Sequence, residues 1–95
     1  MNCIIVDDEP LARKAIQKLV YQTENLEVIG SFNGAEATRE FLAKNTVDLV
    51  FLDIQMPGLN GIEFARSIPT KTSVIFTPPF MNLLLRAMKS TPLTI

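Results

Sequence analysis

The sequence predicts an α/β fold in which helices cover both faces of a parallel β-sheet. Two apolar runs, residues 3–6 and 49–52, are typical of buried strands because they lack the alternation of a half-exposed strand. Each run leads directly into acidic residues, at 7–9 and at 53. Strand and helix signals then alternate in a βαβαβαβ order. This order predicts right-handed crossovers between parallel strands.

The first helix is predicted over residues 9–22. Pro10 falls in its first turn, where the missing N–H of proline is tolerated. Apolar residues then recur at helical spacing, and the basic and amide side chains of Arg13, Lys14, Gln17 and Lys18 lie on the other face. The helix is therefore expected to pack one apolar face on the sheet.

Three further elements and a fourth strand follow. Residues 26–32 are rich in strand formers, and the turn dipeptide Asn33-Gly34 leads into a second helix over 35–44. A loop of turn-forming residues over 56–61 precedes a short helix that closes before Pro69. Residues 73–77 are β-branched and aromatic, which predicts the fourth strand.

Length and charge favour one compact domain with a modest core. The chain has 95 residues, 9 basic and 10 acidic side chains and a net charge of -1, without a block of like charge. This pattern excludes the usual footprint of a nucleic-acid or membrane-surface binder. The lone Cys3 lies in an apolar strand, which predicts a core position in a reducing compartment. The N-terminus has no basic or long apolar leader, so a cytoplasmic location is expected.

Three carboxylates are predicted to meet at one edge of the sheet. Asp7 and Asp8 follow the first strand and Asp53 ends the third, and ligands of parallel sheets gather outside the carboxyl ends of the strands. An ionised Asp53 can act as a nucleophile toward a phosphoryl group and form an acyl phosphate. Magnesium requires oxygen ligands, which Asp7 and Asp8 would supply. Mutual repulsion is expected to raise at least one carboxyl pKa when no metal is bound.

Three motifs follow one another along the chain: Ile4-Ile5-Val6-Asp7-Asp8-Glu9-Pro10, Leu52-Asp53-Ile54-Gln55-Met56-Pro57-Gly58-Leu59-Asn60-Gly61 and Val74-Ile75-Phe76-Thr77. In this order and spacing, residues 2–77 resemble the CheY-like receiver domain of bacterial two-component response regulators. The stretches Asp-Asp-Glu-Pro-Leu-Ala and Asp-Ile-Gln-Met-Pro are similar to the subgroup with a LytTR-type (LytR/AlgR) DNA-binding output domain. The resemblance implies a flavodoxin-like, doubly wound parallel sheet with strand order 2-1-3-4.

The resemblance also implies a set of roles. Asp53 would be the phosphoacceptor, Asp8 a direct Mg²⁺ ligand, Asp7 the holder of a coordinated water, and the Gln55 backbone carbonyl a third ligand. The hydroxyl of Thr77 would bind the phosphoryl oxygen and act as a switch. A sensor histidine kinase would be the donor, and the protein would be a phosphorelay component in transcription regulation rather than an enzyme. The chain itself would contact neither nucleic acid nor membrane.

The receiver pattern is followed over residues 1–77 and lost over 78–95. The tail shows no counterpart of the fifth strand, the fifth helix or the Lys-Pro pair of a receiver, and we assign the lysine role to neither Lys71 nor Lys89. A short helix beginning near Asn82, at about 82–89, is predicted instead. Strand four would then be an exposed edge, which favours a homodimer through that edge or through a swapped segment, and phosphorylation would be impaired.

The codons of the tail suggest an origin for this change. When the tail is back-translated and its reading frame is shifted by one base, it can be read as a receiver-like sequence. Because methionine has a single codon, the shifted frame must encode Glu after both Met81 and Met88. We therefore hypothesise a single-base deletion near codon 77 or 78. Sequencing of the encoding DNA tests this, and an in-frame gene with unrelated codons would contradict it.

Other interpretations remain for the same residues. Taken singly, Asp8 could cap the first helix, and Asp53 could be an acidic residue that faces a loop. Thr77 could be an ordinary strand residue, and residues 56–58 could do no more than form a turn. A haloacid-dehalogenase-type phosphatase also uses a strand-end Asp with magnesium, but it needs a second Asp two residues later, where this chain has Gln55. A non-signalling interaction module, or the inert product of a damaged gene, would keep the acidic residues without phosphorylation.

Overall fold

The computed structural model describes residues 1–53, 56 and 60–77, which form seven alternating strands and helices. In chain order these are β1 Asn2–Val6, α1 Pro10–Tyr21, β2 Glu27–Phe32, α2 Ala35–Lys44, β3 Leu49–Asp53, α3 Gly61–Arg66 and β4 Ser73–Thr77. The predicted order of elements is confirmed, and the ends of α1 and the start of β2 each differ by one residue from the prediction. Within these residues, no helix has the length and apolar character needed to cross a membrane.

The four strands form one sheet in the order β2-β1-β3-β4, and every neighbouring pair is parallel. This is the predicted 2-1-3-4 order. Val6 at the end of β1 pairs with Leu52, and Asp53 at the end of β3 pairs with Thr77. The central strands β1 and β3 therefore end side by side, and β4 lies at one edge of the sheet that the described residues form.

Helices cover both faces of the sheet, as predicted. Side chains alternate along each strand, so the apolar strands present an apolar surface on both faces for helices to pack against. Ile4, Val6, Val50 and Leu52 face one side, where they pack with residues of α2 and α3 such as Phe64. The other face presents a second cluster, which packs against α1: Cys3, Ile5, Ile16, Val20, Leu49. Cys3 is fully buried with a free thiol, and burial raises its pKa. Its predicted core position is confirmed.

Among the described residues, the face that carries α1 has an open groove near β4. An apolar groove of about 320 Å³ lies between α1 and the two strands β3 and β4, lined by residues that include Leu19, Phe51 and Ile75. Leu19 is 56% exposed and Ile75 48% exposed. The predicted short helix at about 82–89 lies outside the described residues.

Candidate functional site

The acidic cluster lies where β1 and β3 end. Because Val6 and Leu52 are paired neighbours, the next residues along the two strands, Asp7 and Asp53, emerge side by side. One carboxylate oxygen from each of Asp7, Asp8 and Asp53 lies within 4.8 Å of the others. The three carboxylates that the sequence placed at one edge are therefore brought together.

Burial differs sharply within this cluster. Asp53 has no exposed surface and Asp7 is 1% exposed, whereas Asp8 is half-buried. Asp8 also lines a polar cleft of about 430 Å³ between the β1–α1 loop, the start of α2 and α3. The cluster therefore faces the solvent through Asp8, and the complete burial of Asp53 was not predicted from sequence.

The pKa of Asp7 is raised from its ordinary value of 3.8 to about 6. Burial is the largest cause, since it penalises the ionised form. A hydrogen bond from the backbone N–H of Glu9 opposes it, and the nearby carboxyl groups of Asp53 and Asp8 raise the pKa further. The predicted increase in a carboxyl pKa is confirmed, but burial contributes more than the repulsion that was expected to cause it.

Backbone and side-chain hydrogen bonds hold the segment that carries Asp7. Its N–H donates to the Phe32 carbonyl at 3.0 Å, and its Oδ1 accepts from the Glu9 N–H at 2.9 Å. Glu9 in turn caps α1, because its Oε1 accepts from the N–H of Leu11 at 3.3 Å. The alternative in which Asp8 is the helix cap is therefore wrong. Asp8 lies one residue before this cap, and its carboxylate belongs to the acidic cluster.

Arg13 is a residue of this region that the sequence did not single out. It was predicted only as part of the polar face of α1, but its Nη1 donates to the backbone carbonyl of Asp7 at 2.7 Å. Arg13 lies six residues after Asp7, one turn into the helix that starts at the acidic edge. This spacing is the sequence signal that could have indicated the contact.

Thr77 lies beside Asp53, but its hydroxyl faces the strand backbone. The two residues are paired in the parallel register of β3 and β4, and Thr77 is buried. Its Oγ1 donates to the Leu52 carbonyl at 3.5 Å, which is at the long limit for a hydrogen bond. A modest rotation of the side chain would free this hydroxyl. Gln55, whose backbone carbonyl was predicted to be a metal ligand, lies outside the described residues.

The walls of the polar cleft contain further residues that sequence reasoning did not assign to the site. Asn60 caps α3 by accepting from the N–H groups of Ile62 at 3.0 Å and Glu63 at 3.3 Å. The Arg39 guanidinium carbon lies 5.1 Å from the ring centre of the buried Phe64, a cation–π distance. These contacts fix the second wall of the cleft that Asp8 faces.

The donor set of the cluster fits a hard divalent cation. Carboxylate oxygens are the ligands that Mg²⁺ prefers. Within the part of the chain that the structure describes, the buried Oδ1 of Asp8 has no hydrogen-bond partner. Three close carboxylates repel one another, and a bound cation would offset that repulsion. The arrangement is therefore suited to binding a metal next to the carboxylate oxygen atoms of Asp53.

Comparisons with known proteins agree with this geometry. The response regulator receiver domain family matches residues 3–81. Sensory transduction protein LytT of Bacillus anthracis is 34% identical over 92 residues, which cover 94% of this chain and 37% of that protein. Sensory transduction protein LytR of Staphylococcus epidermidis is 43% identical over 68 residues, covering 72% of this chain and 27% of that protein. The chain thus spans only about a third of the length of these relatives.

A similar structure has also been solved. The response regulatory domain of protein mrkE from Klebsiella pneumoniae superposes with a TM-score of 0.75 at 32% identity, covering 94% of this chain and 75% of that chain. The family match spans most of the chain and includes Asp7, Asp8 and Asp53. The chain belongs to the response regulator receiver domain family, as a CheY-like receiver of the LytTR-type group.

Proposed function

We propose that this chain accepts a phosphoryl group on Asp53 from a sensor histidine kinase, with Mg²⁺ as cofactor, as one step of a two-component phosphorelay. The observation that carries the proposal is the convergence of Asp7, Asp8 and Asp53 within 4.8 Å at the ends of two adjacent strands. We take residues 1–77 as the domain core and expect phosphoacceptor behaviour with at most weak autophosphorylation and autodephosphorylation.

In the transfer, a carboxylate oxygen of Asp53 attacks the phosphorus atom. The new O–P bond forms as the P–N bond of the donor phosphohistidine breaks, and the imidazole leaves with the electron pair and takes up a proton. The ion would be held by Asp7, Asp8, Asp53 and the Gln55 backbone carbonyl. When bound, Mg²⁺ supplies neutralisation of the negative charge on the phosphoryl oxygens. Asp7 orients the cluster through its hydrogen bond with the Glu9 N–H.

The burial of Asp53 constrains how the donor approaches. Its carboxylate has no exposed surface, and Asp8 is the half-buried member of the cluster. The donor must therefore displace groups at this edge before its phosphorus atom comes into reach of Asp53. We place the route of approach on the Asp8 side, where the polar cleft lies.

Thr77 is proposed as the group that binds a phosphoryl oxygen after transfer. Its hydroxyl would exchange the long hydrogen bond to the Leu52 carbonyl for one to the phosphoryl group.

The output of the relay is proposed from relatives. The structure of RcsB of Salmonella enterica serovar Typhimurium has been solved on promoter DNA in the presence of the phosphomimetic BeF₃⁻. RcsB is 26% identical in sequence to this chain, which covers 47% of it with a TM-score of 0.71. We propose that this receiver likewise controls a DNA-binding output domain and does not itself contact DNA. The uncharged strand β4, at the edge of the sheet that the described residues form, is proposed as a contact for a homodimer.

Mass spectrometry of the intact protein after treatment with acetyl phosphate tests the proposal. We expect a mass increase of one phosphoryl group that requires Mg²⁺ and is lost in Asp53→Asn. Asp48→Asn is the matched control, because Asp48 precedes the same strand at its opposite end and is exposed. Labelling that persists in Asp53→Asn, or that is absent from the wild type with Mg²⁺ present, would refute the proposal and favour a non-signalling module.

A further inference from the structure

The guanidinium group of Arg13 lies beside the acidic cluster but binds its backbone. Nη1 donates a 2.7 Å hydrogen bond to the carbonyl oxygen of Asp7, and the Arg13 side chain is half-buried. Hydrogen bonds from a charged donor are shorter and stronger than those between neutral groups. We infer that Arg13 is a positioning residue for the cation site, which fixes the direction in which the Asp8 carboxylate projects. This inference rests on the proposed function.

The planar peptide bond between Asp7 and Asp8 connects the Arg13 contact to the Asp8 side chain. The carbonyl of Asp7 and the N–H of Asp8 belong to one planar unit. Fixing the carbonyl oxygen therefore fixes the plane from which the Asp8 side chain departs. Arg13 is itself fixed in the first turns of α1, because its backbone N–H donates to the Glu9 carbonyl at 3.2 Å. The helix thus clamps the peptide that joins the two acidic residues.

The two acidic residues are held in different ways. The carboxylate of Asp7 accepts a hydrogen bond from the Glu9 N–H at 2.9 Å, which orients it directly. For Asp8, the described residues supply no hydrogen bond to the buried Oδ1. Its orientation depends on the backbone, and its carboxylate stays available for a ligand. The contact from Arg13 should consequently matter most for Asp8.

Positioning and simple electrostatics predict opposite effects for the loss of Arg13. A positive charge close to a cation site repels the cation, so removal of that charge alone would tighten Mg²⁺ binding. Loss of the clamp would weaken it, because partners that orient metal ligands typically contribute tenfold to a hundredfold in affinity. The sign of the change in affinity therefore separates the two roles.

The test is a titration of the full chain with MgCl₂, with amide chemical shifts as the readout, for the wild type, Arg13→Gln, Arg13→Lys and Lys14→Gln. We expect Arg13→Gln to bind Mg²⁺ about tenfold more weakly. Arg13→Lys retains a charged donor and should stay within about threefold of the wild type. Lys14→Gln removes the same charge from an exposed neighbouring position on α1 and should bind no more weakly than the wild type. Urea unfolding in EDTA measures fold stability separately.

Each outcome bears on the inference. Unchanged or tighter binding by Arg13→Gln overturns it, and so does equal weakening by Lys14→Gln. Failure of the wild type to bind Mg²⁺ overturns the proposed function as well. If Arg13→Gln does not fold, the wild type decides the matter: resolved, exchange-protected guanidinium N–H signals of Arg13 support the clamp, and rapidly averaged signals contradict it.

Discussion

Replacement of Asp7 by asparagine should stabilise the metal-free protein, and the gain should grow as the pH rises. Asp7 is 1% exposed, and its pKa is raised from 3.8 to about 6, mainly by burial. The unfolded chain therefore releases this proton at a lower pH than the folded chain. Stability associated with the protonated carboxyl is fully present below about pH 3.8 and is lost as the pH rises through about 6. Asparagine carries no charge, and its Oδ1 can still accept the hydrogen bond from the Glu9 N–H.

The size of the effect follows from the two pKa values. Their separation of about two pH units corresponds to at most about 3 kcal/mol of destabilisation by the ionised Asp7. Roughly half of this destabilisation develops between pH 5 and pH 8. The advantage of Asp7→Asn over the wild type in the free energy of unfolding should increase by that amount over the same interval. Bound Mg²⁺ should reduce the advantage at pH 8, since a cation relieves the repulsion in the wild type.

Urea unfolding in EDTA at pH 5 and pH 8 measures this difference. Glu24→Gln is the matched control, because Glu24 is an exposed carboxylate in the α1–β2 loop and its replacement should not reproduce the pH-dependent gain. An Asp7→Asn advantage that is the same at both pH values, or that shrinks toward pH 8, would refute the reasoning about burial and charge.

Three further substitutions test separate parts of the structure. Phe64→Ala should lower the free energy of unfolding in urea by about 3–5 kcal/mol, because Phe64 is fully buried against the sheet. Phe76→Ala is the control: Phe76 is 42% exposed, so its replacement should have a clearly smaller effect. Equal losses of stability would contradict the assigned core. Asn60→Ala should remove the cap of α3 and lower the free energy of unfolding by about 1 kcal/mol, whereas no loss would argue against the cap. Thr77→Ala should shorten the lifetime of the phosphorylated or beryllofluoride-bound form while Thr77→Ser preserves it, and equal lifetimes in a decay assay would remove Thr77 from the site.

The order of the sheet and the place of the acidic cluster could be predicted because they depend on pattern. Apolar runs that end in acidic residues indicate where buried strands end, and adjacent parallel strands bring their carboxyl ends together. The convergence of Asp7, Asp8 and Asp53 follows from those two facts.

Other features depend on side-chain geometry that no spacing encodes. The full burial of Asp53 does not follow from its position at the end of β3. The cap of α1 is Glu9 rather than Asp8, because the helix begins one residue later than the motif alone suggests. The contacts of Arg13 and Thr77 with backbone carbonyls depend on rotamers of single side chains. Sequence patterns locate such residues on an element but do not say which atom they reach.

The central claim is that the carboxylates of Asp7, Asp8 and Asp53 share one divalent cation. An anomalous difference map from crystals of the wild-type chain soaked with Mn²⁺, a scatterer that takes the same oxygen ligands, tests this directly. We expect a single strong peak within coordination distance of these side chains, and we expect it to disappear when Asp8 is replaced by alanine. A map with no peak at this edge of the sheet, or with a peak that survives Asp8→Ala unchanged, would contradict it.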